Sequence, residues 1–270
     1  RNPITSFICV GGCLCPRLQP LLLLLLSFAL RSAEEEGLHP AQDTGERIIN
    51  GNVCPRGSHP WQVALYDNNG FQCAGVLVRP QWVLTVAHCY QSEYIVQMGS
   101  DLPDDAHAQR MRATQSFIHP RYNNRTDDHD IMLVKLNCPA TLSPTVTTID
   151  VPSRCKGHGT SCTVSGWGVT TPNGEKGLSE LMCANVNIIS YRRCRRFYPT
   201  MFQYFMLCAA PRDRLSYCCR GDSGSPLICD GSLHGLVSTG FYPCDPPFDP
   251  VVYTGVCMYH KWVYRTIKAN

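Results

Sequence analysis

The stretch Gly221–Pro226 reads Gly-Asp-Ser-Gly-Ser-Pro and is the most informative part of this 270-residue chain. A serine hydroxyl is a poor nucleophile unless a base removes its proton and hydrogen-bond donors stabilise the oxyanion that forms. The glycine ahead of Asp222 and Ser223 lets backbone N–H groups approach a reacting carbonyl with no side chain in the way. Ser223 is therefore a candidate nucleophile that needs a base and an acid from elsewhere in the chain.

Two upstream segments supply those groups. Leu84–Cys89 reads Leu-Thr-Val-Ala-His-Cys, and Asp128–Leu133 reads Asp-His-Asp-Ile-Met-Leu. They offer His88 as the base and Asp130 as the acid, so that the chain order is His, Asp, Ser. An isolated Asp-Ser-Gly or His-Cys pair carries little weight, but three segments in this order and spacing are a specific signal.

With these residues in hand, the chain resembles the trypsin-like serine proteases from about residue 48 to its C-terminus. The resemblance implies two six-stranded antiparallel β-barrels with the active site in the cleft between them. It implies that Ser223 is the nucleophile, that His88 acts as general base and then acid, and that Asp130 orients the imidazole. The N–H groups of Gly221 and Ser223 would form the oxyanion hole.

Short apolar runs separated by turn residues give the same all-β class from the local pattern. Strands are expected around residues 61–65, 74–78, 94–98, 161–164 and 235–238, with a hairpin turn at Asp67–Gly70. Val256, Tyr259, Val263 and Ile267 fall near helical spacing and predict a C-terminal helix. Many short strands with one terminal helix favour paired β-barrels.

The composition restricts the compartment and the partners. Hydrophobic residues make up 44% and charged residues 17% of the chain, which fits a globular protein with a sizeable core. Seventeen cysteines without zinc-ligand spacing favour a disulfide framework and an oxidising, secretory compartment. The net charge from residue 48 onward is +4, too mild to favour nucleic acid. We expect no cofactor and no metal, and a monomer acting on protein or peptide substrates and meeting protease inhibitors.

The N-terminal region divides into two parts. Leu21–Leu30 is an apolar run that is too short to span a bilayer comfortably, so residues 1–33 read as a signal peptide, with a membrane anchor as the alternative. The acidic stretch 34–47 reads as a pro-segment, which leaves residues 48–270 as the peptidase domain. A secreted, extracellular protein without a membrane span is expected.

The dipeptide Arg47-Ile48 lies at that boundary and resembles a zymogen activation site. Cleavage there would create an ammonium at Ile48. Buried against Asp222, this ammonium would hold the oxyanion hole in its working shape, because neither charge tolerates burial alone.

The cysteines sharpen the resemblance to the tissue kallikrein group, and within it to the kallikrein-related peptidase five type. Matching stretches are Arg47–Gly51, Arg79–Trp82 and Cys229–Leu233. The resemblance implies six disulfides and leaves Cys138 and Cys218 unpaired; the pairs are Cys54–Cys183, Cys73–Cys89, Cys155–Cys257, Cys162–Cys229, Cys194–Cys208 and Cys219–Cys244.

The specificity pocket implied by the resemblance departs from the family pattern. Its residues would be Tyr217, Cys218, Ser238, Gly240 and Val251. Tyr217 stands where trypsin-like members carry an Asp, Val251 stands where Gly is common, and Thr239 replaces a Trp. The pocket is therefore not expected to prefer Arg or Lys. A second hypothesis stays open: a weak or inactive protease-fold homologue that acts as a binding protein.

Three surface features complete the analysis. Asn124 begins the sequon Asn-Arg-Thr and is a candidate glycosylation site. Asp127 and Asp128 are interpreted as solvated loop charges. Four arginines surround Cys194 and are candidates for weak polyanion binding, with a solvated helix face as the alternative; they are Arg192, Arg193, Arg195 and Arg196.

Overall fold

The apolar runs of the first half of the chain form a closed barrel of six antiparallel strands, paired in the order β2-β3-β4-β7-β6-β5. The computed structural model describes residues 51–103, 105–168, 180–211, 222–239 and 250–270. The hairpin expected at Asp67–Gly70 is confirmed, with the Asn69 N–H donating to Asp67 Oδ1 at 2.7 Å. The strands are β2 (Gln62–Asp67), β3 (Gly70–Arg79), β4 (Trp82–Thr85), β5 (Tyr94–Met98), β6 (Gln109–Ile118) and β7 (Met132–Leu136).

A second ring of six antiparallel strands follows, in the order β8-β9-β10-β13-β12-β11 and back to β8. A short strand, β1 (Asn52–Val53), pairs with β9 as a seventh member of the sheet. The expectation of two six-stranded barrels is thereby confirmed. The strands are β8 (Ser161–Gly166), β9 (Met182–Ile188), β10 (Met206–Pro211), β11 (Pro226–Cys229), β12 (Ser232–Thr239) and β13 (Val251–Gly255).

The β11–β12 hairpin has a two-residue loop, Asp230-Gly231. Both residues have positive φ, 48° and 71°. A type I′ hairpin turn requires positive φ at both central residues, and Asp-Gly is a preferred pair for it. This hairpin fixes the length of β11, whose first residue follows the candidate nucleophile by three positions.

Two helices lie on the barrels: α1 (Tyr191–Phe197) and α2 (His260–Ala269). The C-terminal helix is confirmed, although a 3₁₀ turn, Val256–Tyr259, precedes it. In α1 only Cys194 is buried, and the four arginines around it are exposed. The Arg195 guanidinium donates to the carbonyl of Pro199 at 2.7 Å. Polyanion binding by this face stays a prediction.

A shared apolar cluster joins the two barrels. Trp82 and Leu84 of β4 belong to it, as do Leu233 and Leu236 of β12 and Val263 of α2, and all five are buried. Because one cluster draws on both barrels and the last helix, these three parts of the fold pack against one another through a common core.

Among the described residues there are five disulfides, and all five are pairs expected from the resemblance. They are Cys54–Cys183, Cys73–Cys89, Cys155–Cys257, Cys162–Cys229 and Cys194–Cys208. Cys138 is free and exposed, as expected.

Several expectations fall on residues outside the described ranges. These are the signal and pro-segments, the pair Cys219–Cys244, and Arg47, Ile48, Tyr217, Cys218, Gly221 and Gly240. In the part of the chain that the structure does describe, no helix has both the length and the apolar character needed to cross a membrane.

Candidate active site

His88 sits in a 3₁₀ turn, Ala87–Cys89, directly after β4. The disulfide between Cys89 and Cys73 ties this turn to β3. The His88 side chain is 29% exposed, so one part of the imidazole ring faces solvent while the rest packs against the barrel. The short turn and the disulfide together fix the backbone of the segment that carries His88 against β3.

Asp130 lies just before β7, and its side chain is fully buried. Its Oδ2 is 2.7 Å from His88 Nδ1, and its Oδ1 accepts from the His88 backbone N–H at 2.9 Å. Ser238 Oγ donates to the same Oδ2 at 2.6 Å, and Thr254 Oγ1 donates to the Asp130 carbonyl at 2.6 Å. Strands β12 and β13 of the second barrel therefore fix an acid that belongs to the first.

Ser223 follows Asp222 in the turn before β11. Its carbonyl accepts from the Ala74 N–H of β3 at 2.8 Å, and the next residue, Gly224, donates to Val237 of β12 at 2.8 Å. Gly224 has φ +79°, and a Cβ there would overlap the Ala74 carbonyl and come within 2.5 Å of Thr85 Oγ1. Glycine is thus required for the serine peptide to sit against the β3–β4 segment that carries His88.

Asp222 is fully buried. Its Oδ1 accepts from the Gly168 N–H at 2.9 Å. A Cβ at Gly168 would lie 2.5 Å from the Asp222 carboxyl carbon, so a glycine is needed for this close approach. A carboxylate this deep needs donors and positive charge around it, since an uncompensated buried charge costs several kcal/mol, roughly.

The described residues of the expected specificity pocket have different surroundings. Ser238 is buried and donates to Asp130, which makes it a support of the acid. Val251 is 4% exposed and packs in the apolar cluster of the second barrel with Val237 and Tyr253.

Asn124 is exposed in the loop between β6 and β7, where a glycan could be attached.

The electrostatics of His88 favour its charged form. Burial lowers the pKa of the imidazole, but the hydrogen bond and charge of Asp130 raise it, Asp127 adds to the rise, and the net pKa is above the ordinary value. A base with a raised pKa takes up a proton readily, which suits a group that must accept one from a hydroxyl.

A family model described as Trypsin matches residues 48–263. The chain belongs to the trypsin family. Human kallikrein-7 is 50% identical to this trypsin-family protein over 253 residues, which cover 94% of the chain and 98% of kallikrein-7. Human kallikrein-5, the type that the sequence resemblance indicated, is 42% identical over 85% of the chain and 80% of its own length. The protein is therefore a member of the tissue kallikrein group.

A solved structure agrees with this placement. Neuropsin, a serine protease expressed in mouse brain, superposes with a TM-score of 0.77 at 39% identity, covering 81% of this chain and 99% of that structure. The match over nearly all of neuropsin shows that the two-barrel fold of this protein is that of the family.

Two features of the site were absent from the sequence interpretation. Ser238 and Thr254 contact Asp130 across 108 and 124 residues of chain, and no local motif marks them. Asp127 was interpreted as a solvated loop charge, but it is half-buried and its carboxylate interacts with His88. The polar sequence of the loop that carries Asp127 and Asp130 does not indicate which groups from other elements will contact it in the folded chain.

Two glycines with similar φ allow a matched test of this geometry. Gly231 has φ +71° with open space around it, whereas Gly224 has φ +79° beside the Ala74 carbonyl. Gly231→Ala should lower the free energy of unfolding by about 1–2 kcal/mol, the cost of a left-handed residue. Gly224→Ala should cost clearly more, because the Ser223 peptide must also move. Urea unfolding checks this, and equal losses in the two variants would contradict the steric argument.

Proposed function

We propose that this protein is a secreted serine endopeptidase that hydrolyses peptide bonds through His88, Asp130 and Ser223 after cleavage at Arg47-Ile48. The observation that carries the proposal is the hydrogen bond between His88 Nδ1 and the fully buried Asp130 carboxylate. Ser223 is held separately, by the hydrogen bond from Ala74 of β3 to its carbonyl. Membership of the tissue kallikrein group adds that proteins are the substrates and that protease inhibitors are natural partners.

In the proposed reaction, Asp130 holds the His88 ring with Nδ1 protonated, which leaves Nε2 free to accept the proton of Ser223. The Ser223 oxygen attacks the carbonyl carbon of the scissile bond, and the N–H groups of Gly221 and Ser223 stabilise the oxyanion. The imidazolium then gives its proton to the leaving amine, and an acyl-enzyme forms. Water repeats the same steps and releases the acid product.

Activation follows from the burial of Asp222. An ammonium at Ile48 would bring a positive charge to a carboxylate that already accepts from Gly168, and so order the adjoining oxyanion hole. Zymogen cleavage thereby controls the shape of the site from outside the catalytic residues.

The proposed specificity follows from the departures in the pocket. A substrate Arg or Lys needs a carboxylate partner, and Tyr217 offers at most a phenol. Val251 adds a branched side chain at a position that is commonly Gly. Small or medium apolar side chains before the scissile bond are therefore the proposed preference, and glycosylation at Asn124 fits the proposed secretion.

The three catalytic residues should act as a unit. Ser223→Ala and His88→Ala should each lower kcat by at least about 10⁴-fold, and the double variant should be scarcely worse, because each step needs both groups. Peptide hydrolysis by the cleaved protein checks this. Losses that multiply in the double variant would contradict a shared mechanism.

Cleavage after Arg47 should be required for activity. The Arg47→Gln protein should react with a fluorophosphonate probe far more slowly than the processed protein, because no ammonium forms to pair with Asp222. The labelling rate of Ser223 is the measurement, and Ser223→Ala is the blank. Equal rates for Arg47→Gln and processed protein would rule out zymogen control. Absence of labelling in the processed protein would favour the binding-protein hypothesis.

The pocket should discriminate only modestly among apolar residues, by about 1–3 kcal/mol per methylene-sized difference. A peptide library read out on the processed protein gives the profile. Restoring the carboxylate in Tyr217→Asp should shift cleavage toward Arg, and Tyr217→Asn, which adds no charge, is the matched control. Dominant cleavage after Arg or Lys by the unaltered protein would show that the assigned pocket residues are wrong.

A further inference from the structure

Asp127 occupies a constrained position in the loop between β6 and β7. Its φ is +51°, and that of His129 is +53°, so two left-handed residues alternate just before Asp130. The His129 ring stacks on Phe205 with a centroid distance of 4.0 Å, and its Nδ1 lies 2.9 Å from the Tyr259 hydroxyl. The segment that carries Asp127 is therefore anchored from behind by a buried aromatic contact.

The anchored segment brings a second carboxylate to the catalytic histidine. One carboxylate oxygen of Asp127, one of Asp130 and one ring nitrogen of His88 lie within 4.8 Å of one another. Opposite charges within about 4–6 Å favour each other's charged forms. Two carboxylates therefore lie near the imidazole of His88, whereas the sequence pattern assigned only Asp130 to it.

Two hydroxyl groups act on the Asp127 carboxylate, one from its own loop and one from β12. They are those of Tyr122 and Thr239, and each lowers the pKa of Asp127. Thr239 Oγ1 lies 3.5 Å from Ser238 Oγ, which in turn donates to Asp130. Thr239, which stands where the family usually has Trp, therefore places its hydroxyl beside the Ser238–Asp130 hydrogen bond.

We propose that Asp127 is a positioning residue for His88, a second carboxylate that stabilises the imidazolium together with Asp130. Its meaning for catalysis rests on the peptidase function proposed above, but its effect on the imidazole does not. The charge of Asp127 is needed at the moment when His88 holds the proton taken from Ser223.

The titrations of the two groups are coupled. The pKa of Asp127 is raised above its ordinary value, because burial and the charge of Asp130 outweigh the charge of His88 and the hydroxyls of Thr239 and Tyr122, which lower it. Within the described ranges, Asp130 and Asp127 are the charged groups that act on the pKa of His88. The phenol of Tyr122, whose pKa burial raises to about 12, stays neutral. Removing the Asp127 charge must lower the pKa of His88.

The direct test measures the His88 pKa by NMR in the whole chain labelled at histidine Cε1, with His88→Gln to assign the resonance. Asp127→Asn should lower the midpoint by about one pH unit. Asn also tolerates positive φ, so the loop is retained. Asp128→Asn removes the same charge one residue away and should leave the midpoint in place. His119, whose pKa burial lowers to about 4, reports in the same spectra that the fold is intact.

An unchanged His88 midpoint in Asp127→Asn would overturn the proposal, as would an equal fall in Asp128→Asn. The second readout is the pH dependence of fluorophosphonate labelling. Labelling needs neutral His88, so its acidic limb should move to lower pH in Asp127→Asn by the same amount. If the processed protein is not labelled at any pH, the proposed peptidase function fails, while the NMR midpoint still decides the role of Asp127.

Discussion

The buried carboxylate of Asp130 is the constraint on which the rest of the site depends. A fully buried charge survives only if donors surround it. Here the donors are the backbone and ring of His88 from the first barrel and the Ser238 hydroxyl from the second. The two barrels must dock in one relative position to bring these donors together. The apolar cluster also stabilises the docked barrels; its members are Trp82, Leu84, Leu233, Leu236 and Val263. Apolar packing tolerates small shifts better than the hydrogen bonds to Asp130 do, so it defines the relative position of the barrels less strictly.

Much of this arrangement could be predicted from the sequence because the signals were local. The alternating pattern of residues 61–65 and the turn after it predicted a hairpin, and helical spacing predicted α2. The five disulfides described were predicted by resemblance, since pairing cannot be deduced from spacing. Asp222 was expected to be buried, and it is.

The contacts of Asp130 that were missed join segments far apart in the sequence. Ser238 was placed in the specificity pocket because its position matched the family pattern, and the structure adds that its hydroxyl donates to Asp130. Its role depends on the register of β12 against β13, where a shift lies between Val237 and Thr239. A register irregularity of this kind re-aims side chains and leaves no local sequence pattern. Asp127 was interpreted as a solvated loop charge for a related reason, since His88, which is distant in the sequence, comes near it only in the folded chain.

The hydrogen bond between the Ala74 N–H of β3 and the Ser223 carbonyl affects when the site can form during synthesis. The histidine and the acid leave the ribosome well before the serine, and the first barrel can close around them. Ser223 belongs to the second half of the chain but rests on β3, so it takes this position only after the second barrel has folded against the first. In the peptidase that we propose, the active site would therefore assemble only when both barrels are complete, independently of any pro-segment.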